Sequence, residues 1–169
     1  MYKTIILLVS VFTNLTIAGE PVVSIQDVLG ENDNWYGAKA SRGEFQILLR
    51  YRNKLEKKHA EDYPRLFQVY WDFPKHSSGM PSNELSDEMR VFEDRIVEAL
   101  EGDLSGILVA AITGGGYREW VFYSKSIDDF AKKLHNMPQN ADPYPIQIET
   151  KADVGWKYFF EDIRGNIQE

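Results

Sequence analysis

A chain of 169 residues that is 43% hydrophobic and 13% aromatic can build one domain with a substantial core, and this composition excludes a disordered protein. Its formal net charge of -7 argues against nucleic acid or an anionic membrane surface as the main partner, because both require clustered lysine and arginine. The chain has no cysteine, which excludes disulfides, thiolate metal sites and cysteine nucleophiles.

The N-terminal segment has the layout of a signal peptide. Lys3 precedes a mostly apolar run from Thr4 to Ala18, and small residues stand three positions and one position before a cleavage site at Gly19. The run is short for a bilayer span, and Asn14 interrupts it. We therefore predict that residues 1–18 are removed and that the mature protein is periplasmic or secreted, with no stable membrane insertion. An uncleaved anchor and a buried strand are the alternatives.

No internal repeat, low-complexity tract or linker-like stretch divides the rest of the chain. Residues 19–34 are predicted to form an irregular lead-in, and residues 35–164 a single domain. In chain order, the predicted elements are strands at 35–40 and 45–51, a short helix at 53–62, a strand at 66–73, a helix at 83–101, a hairpin of strands at 106–113 and 117–124, a helix between Ser126 and Met137, a strand at 144–150 and a helix at 155–163.

Hydrophobic periodicity is strongest in the strand at 66–73 and in the helix at 83–101. In the strand, apolar residues alternate with polar ones, which predicts that one face packs against helices. In the helix, apolar residues recur every three or four positions, with Ser82 or Asn83 as the cap and Gly102 at the end. The apolar positions are Phe67, Val69, Trp71 and Phe73 in the strand, and Leu85, Met89, Phe92, Ile96 and Leu100 in the helix.

From Leu66 to Thr150 the predicted order of elements is β-α-β-β-α-β. This order is typical of the ferredoxin-like split βαβ arrangement, in which both helices pack on one face of an antiparallel sheet. We therefore predict an α+β fold: a ferredoxin-like two-layer sandwich with an added N-terminal β-hairpin and a C-terminal helix.

Short motifs occur at Gly79 and Pro81 in a loop, Glu93 and Asp94 in the helix, Arg118 and Tyr123 in a strand, and Asp153 and Trp156 in the tail. In this order they resemble a bacterial family known as domain of unknown function 695. The tail departs from the family pattern at Val154, where a proline is usual, and at Phe159, where a tyrosine is usual. The resemblance implies a ferredoxin-like α+β fold and no particular reaction. A fold-level similarity to the regulator of ribonuclease activity B, a cytoplasmic acidic inhibitor, is an analogy only.

Neither the glycine-rich turn nor the histidines predict a cofactor or metal site. Gly114-Gly115-Gly116 is followed by a strand rather than a helix, so we interpret it as a hairpin turn and not as a phosphate loop. His59, His76 and His135 lack the spacing of metal ligands, and we expect them at the surface.

Polar and aromatic residues of three strands are candidates for a binding face on the side of the sheet opposite the helices. Such an acidic, aromatic face would suit a cationic peptide, a basic protein loop or a sugar. It depends on register, since a slip of one residue inverts the faces, and the N-terminal hairpin or the last helix would remove it by covering it. The candidate binding residues are Tyr70, Asp72, Tyr117, Glu119, Tyr123 and Glu149, with Gln68 and Gln147 beside them.

These patterns favour a non-enzymatic binding or regulatory domain, with a cationic protein or peptide as its partner. One alternative is a hydrolase that uses two carboxylates among Asp72, Glu119 and Glu149. Another is an immunity-type inhibitor of a basic partner. For the acidic pair inside the helix we expect structural roles. Asp94 is expected to pair with an arginine one turn away, and Glu93, if buried, needs a partner such as Arg118 or a tyrosine hydroxyl.

Overall fold

The computed structural model describes residues 23–30, 33–75 and 78–167. The predicted signal peptide lies outside these residues, and so do His76 and part of the predicted lead-in. Within the described ranges no helix is both long enough and apolar enough to cross a bilayer.

The α+β prediction is confirmed. Within the described residues, six strands form an antiparallel sheet in the order β1-β2-β4-β5-β3-β6. The strands are β1 (Trp35–Arg42), β2 (Phe45–Arg52), β3 (Arg65–Asp72), β4 (Gly106–Gly114), β5 (Tyr117–Ser124) and β6 (Ile146–Ala152). The α-helices are α1 (Ile25–Leu29), α2 (Asn83–Glu101) and α3 (Ile127–Asn136). A 3-10 helix lies at Lys57–Ala60, and a π-helical turn at Tyr158–Ile163 continues into a 3-10 turn at Arg164–Asn166.

One face of the sheet, the helix face, packs against α2 and α3 as the strand periodicity predicts. The apolar positions of β3 and those of α2 meet in one core, which Trp120, Phe122 and Phe130 complete. The helix begins where expected, because the Ser82 hydroxyl accepts a hydrogen bond from the Leu85 amide at 3.2 Å. Burial of this apolar stripe is the main force that fixes α2 on the sheet.

The opposite face, the back face, carries a second core. There α1, the 3-10 helix and the C-terminal segment (residues 153–167) cover the end of the sheet at which β5 finishes. The prediction of a wholly irregular lead-in is wrong, because α1 forms within it. Ser24 caps this short helix: its hydroxyl accepts from the Asp27 amide at 3.2 Å, and Asp27 accepts from the Ser24 amide at 3.0 Å.

The C-terminal segment starts its helical turn later than predicted. Gly155 and Trp156 both have left-handed backbone angles (φ 82° and 55°), so regular helix cannot begin at 155. Asp153 organises the turn instead: its carboxylate accepts from the amides of Lys157 and Tyr158 at 3.0 Å each, and from the Tyr123 hydroxyl at 2.6 Å. Trp156 stacks on Tyr123 with ring centroids 4.5 Å apart.

A β-bulge interrupts the pairing of β4 with β5 between Leu108 and Ala110. The extra residue, Val109, lies in the back-face core together with Ala110, whereas Leu108 and Ala111 both lie in the helix-face core. Because of the bulge, each side chain of β4 after Ala110 points to the face of the sheet opposite to the one it would reach without the extra residue.

A buried ion-pair cluster holds the N-terminal hairpin to the rest of the fold. The guanidinium of Arg52 bonds Glu101 at 2.6 and 3.0 Å and Asp33 at 3.0 and 3.3 Å, and it donates to the Leu108 carbonyl oxygen at 2.9 Å. Glu101 also accepts from the Leu108 amide at 2.9 Å. The cluster therefore joins β2, the end of α2 and the bulged part of β4.

The glycine-rich turn is a hairpin turn between β4 and β5, as predicted, and the Gly79 loop packs against it. The Gly116 amide donates to the Gly79 carbonyl oxygen at 3.2 Å. Gly79 has φ +68°, and a Cβ there would lie 2.6 Å from Cδ1 of Phe45 and 3.1 Å from the Gly115 nitrogen. Only glycine fits this close approach, which explains the residue without a ligand.

His59 is buried, so the prediction of a surface position is wrong for this residue. Its Nδ1 accepts from the Glu56 amide at 3.0 Å, and its Nε2 lies 2.9 Å from the Val23 carbonyl oxygen. Both ring nitrogens thus hold the segment before α1 against the 3-10 helix. In the described part of the chain, no cluster of three or more histidine or carboxylate side chains could hold a metal ion.

Candidate functional site

The C-terminal segment covers only part of the back face. At the end where β5 begins, side chains of β3, β5 and β6 reach the surface, and the pairing of Asp72 with Tyr117 and of Tyr70 with Gln147 places them side by side. We call this surface the tyrosine patch and define it by Tyr70, Asp72, Tyr117, Gln147 and Glu149. Asp72, Gln147 and Glu149 are exposed, and the two tyrosines are half-buried.

Two tyrosine rings form the centre of the tyrosine patch. Tyr70 and Tyr117 meet edge to face with centroids 6.2 Å apart. Beside them, the Gln147 amide donates to Asp72 at 2.9 Å. The guanidinium of Arg42 lies over the Tyr117 ring, 5.4 Å from its centroid, and donates to the Tyr117 hydroxyl. One ring of the patch therefore already receives a cation from the chain itself.

Glu119 lies beneath the patch and is nearly inaccessible, with 4% of its surface exposed. Its Oε1 accepts from the side-chain amide of Gln68 and from the Tyr158 hydroxyl at 2.9 Å each. The same side-chain amide of Gln68 also donates to the Tyr70 hydroxyl at 2.8 Å. Burial, together with the charges of Glu119 and Glu149, raises the pKa of Tyr70 to about 12. The Tyr70 hydroxyl therefore stays protonated at neutral pH.

The structure brings together four of the six predicted binding residues at the surface and buries the other two. Tyr70, Asp72, Tyr117 and Glu149 belong to the tyrosine patch, whereas Glu119 supports it from below. The placement of Tyr123 in a binding face is wrong, because Trp156 and Asp153 enclose it completely. Burial and the bond to Asp153 raise the pKa of the Tyr123 hydroxyl well above its usual range.

The three carboxylates considered for hydrolysis lie on three neighbouring strands, β5, β3 and β6. Asp72 lines a cleft beside Phe45 and Gly116, whereas Glu119 lines a separate groove formed with Ile47 and Tyr158. β3 lies between Glu119 on β5 and Glu149 on β6, so two strand spacings, or about 10 Å of backbone, separate them. Glu119 is also bound on one oxygen by two donors.

A second surface, on the helix face, was not predicted as a site. A cleft lies between α2 on one side and β2 on the other, with β4 and β5 as its floor; we call it the arginine cleft. Its lining includes Arg50, Arg90, Arg118, Asp87, Glu93, Asp94, Leu48, Ala111 and Thr113.

The acidic pair of α2 has partners in this cleft. Asp94 lies 3.9 Å from Arg90, as the one-turn spacing predicts. Glu93 has partners, as expected for a largely buried acid, but they are neither Arg118 nor a tyrosine hydroxyl. Instead it forms an ion pair with Arg50 and accepts from Nε1 of Trp120 at 2.7 Å. Arg50 also stacks on Trp35, 4.5 Å from its ring.

One sequence signal could have drawn attention to the arginine cleft. Arg118 stands two residues before Trp120 in a strand whose alternate positions are apolar, which places it on the helix face. The contact with α2 and the arrival of Arg50 depend on the sheet order, which local periodicity does not contain.

The model of a family of unknown function, DUF695, matches residues 33–162, which include every residue that defines the tyrosine patch and the arginine cleft. No curated protein and no solved structure matches the chain. The predicted family resemblance is therefore confirmed, and the similarity to the regulator of ribonuclease activity B stays a prediction.

Proposed function

We propose that this chain, which belongs to the DUF695 family of unknown function, is a non-enzymatic binding or regulatory domain whose tyrosine patch holds a cationic peptide segment of a protein partner. The observation that carries the proposal is the stacking of Arg42 on Tyr117 at the edge of the patch. A guanidinium from a partner would find the same aromatic faces and the exposed carboxylates of Asp72 and Glu149.

The network under the patch supports a binding role. Gln68, Glu119 and Tyr158 hold the floor through hydrogen bonds of 2.8–2.9 Å, and no buried side-chain nitrogen or oxygen among the described residues lacks a partner. A floor of this kind limits the motion of Tyr70, so less conformational entropy is lost when a ligand binds.

The proposal predicts opposite effects for two substitutions at one ring. Tyr117→Leu removes the aromatic face and is expected to weaken binding of an amidated peptide of alternating glycine and arginine about twofold to fivefold, the size of a cation–π contact of ~0.5–1 kcal/mol. Arg42→Gln removes the internal competitor and is expected to tighten binding. Isothermal titration at low ionic strength measures both, because screening weakens such contacts.

The matched control is Glu88→Gln, which removes one exposed acid from α2 on the other side of the sheet. If the peptide binds through net charge alone, Glu88→Gln and Asp72→Asn will weaken it equally. If Glu88→Gln and Asp72→Asn lower the affinity for the peptide equally, or if Arg42→Gln lowers it, the peptide does not bind at the tyrosine patch.

We propose further that the domain works in the periplasm or outside the cell. The basis is the signal-peptide pattern of residues 1–18. The intact mass of the native protein from the periplasmic fraction is expected to correspond to a chain that begins near Gly19. Recovery of the unprocessed chain from the cytoplasm alone would refute the location and leave the peptide-binding proposal to its own test.

We also propose that β3 to β6, with α2 and α3, form a ferredoxin-like split βαβ unit to which the hairpin β1–β2 and the C-terminal segment are added. The order β4-β5-β3-β6 within the antiparallel sheet and the packing of both helices in the helix-face core support this assignment. A function does not follow from this fold.

A further inference from the structure

The arginine cleft is a second concave surface, on the opposite side of the sheet from the tyrosine patch. Its volume is about 590 Å³, within the range of roughly 300–1,000 Å³ that is usual for small-molecule sites. Its lining combines charged groups with apolar surface, since Leu48 is 40% exposed and Ala111 lies in the floor.

Two of the arginines in this cleft have carboxylate partners. Arg90 lies 3.3 Å from Asp87 and 3.9 Å from Asp94, and all three side chains are well exposed. Arg50 pairs with Glu93, whose other oxygen is bound by Trp120. The acids of the cleft are therefore already engaged by residues other than Arg118.

Arg118 differs from both. Its Nε donates to the Thr113 hydroxyl at 2.8 Å, which orients the guanidinium, but its two terminal nitrogens meet no carboxylate or other acceptor among the residues that the structure describes. The side chain is half-buried. Burial is the main cause that lowers the pKa of Arg118. The negative charge of Glu93 acts to raise this pKa, and the positive charge of Arg50 acts to lower it.

No buried side-chain nitrogen among the described residues lacks a partner, so the terminal nitrogens of Arg118 reach solvent and can donate to an anion that enters the cleft. The guanidinium also lies over the Trp120 ring, 5.7 Å from its centroid. The planar fork of arginine binds a carboxylate through two parallel hydrogen bonds, a geometry that a lysine cannot provide. The lining acids Asp87, Glu93 and Asp94 disfavour a more highly charged group such as phosphate. Leu48 and Ala111 offer contact to an apolar body.

We propose that the arginine cleft binds a small-molecule monocarboxylate, whose two oxygens accept from the terminal nitrogens of Arg118 and whose apolar body lies against Leu48 and Ala111. This site lies on the opposite face of the sheet from the tyrosine patch, and its ligand has the opposite charge. Failure of carboxylate binding would therefore leave the peptide-binding proposal unaffected, and the reverse also holds.

The test is a titration of the protein with sodium benzoate and, separately, with inorganic phosphate at constant ionic strength. Nuclear magnetic resonance follows two N–H groups that none of the substitutions removes. The backbone amide of Thr113 belongs to the lining of the cleft, and the Trp120 indole N–H donates to Glu93 in that lining. Benzoate is expected to give saturable shifts at both groups. Arg118→Gln is expected to weaken benzoate binding about tenfold, and Arg118→Lys to weaken it as well, because the bidentate contact is lost.

Arg65→Gln is the matched control, since it removes the same charge from a half-buried arginine of β3 that does not line the cleft, and it is expected to leave benzoate affinity within about twofold. The melting temperature of Arg118→Gln is expected to fall only slightly, because the variant loses the Thr113 hydrogen bond and the contact with the Trp120 ring but also removes a half-buried charge. Phosphate binding tighter than benzoate, unchanged benzoate affinity in Arg118→Gln or Arg118→Lys, or no saturable shift up to about 50 mM, far above millimolar dissociation constants, would each overturn the proposal.

Discussion

Replacing Arg52 with alanine is expected to lower the free energy of unfolding by about 3–5 kcal/mol. The buried guanidinium joins Asp33, Glu101 and the Leu108 carbonyl oxygen. Its removal leaves the largely buried Glu101 carboxylate with only the Leu108 amide and leaves the Leu108 carbonyl without its side-chain donor. Equilibrium unfolding in urea, followed by circular dichroism, measures the loss.

The control for this substitution is Arg90→Ala. Arg90 also sits between two carboxylates, but its side chain is 63% exposed and theirs are 72% and 67% exposed. Such pairs contribute about 0–1 kcal/mol, since water screens them. If Arg52→Ala costs no more than Arg90→Ala, the cluster does not fasten the hairpin to the fold.

Replacing Trp156 with alanine is expected to cost about 3–5 kcal/mol of unfolding free energy, the usual loss for a fully buried large aromatic. The indole stacks on Tyr123, and its Nε1 donates to the Tyr63 carbonyl oxygen at 2.9 Å. Its loss opens a cavity under the C-terminal segment and leaves that carbonyl without its indole donor. Thermal and urea unfolding measure the effect.

Val154→Ala is the comparison variant, two residues away in the same segment. Val154 is 73% exposed, so its truncation is expected to change stability by about 0.5 kcal/mol or less. A similarly small effect of Trp156→Ala would show that the C-terminal segment adds little to the stability of the back face.

Where apolar periodicity was strong, the sequence predicted the elements well. The bounds of α2 and β5 match the prediction, and the alternation in β3 assigns its two faces correctly. The late start of the C-terminal turn was not predictable from spacing, because it follows from left-handed angles at Gly155 and Trp156. The short α1 was missed because five residues carry too little periodicity.

The candidate sites were predictable to a smaller extent. Alternation placed Tyr70 and Asp72 away from the helices, but it could not show that the C-terminal segment would cover Tyr123 and leave them open. Glu93 was expected to need a partner, yet its partner comes from β2, which neighbours β4 only in the folded sheet. Such contacts depend on topology, which local sequence patterns do not specify.

The extra residue in β4 also bears on how family members can vary. Val109 shifts the parity of the strand, so that Thr113 stands opposite Arg118 on the helix face while Ile112 packs on the back. A relative one residue shorter at this point would turn the rest of the strand over and take the hydroxyl away from the arginine. We therefore expect strand length here to be kept among relatives, with the side chains at 111 and 113 changing together with position 118 and independently of those at 110 and 112.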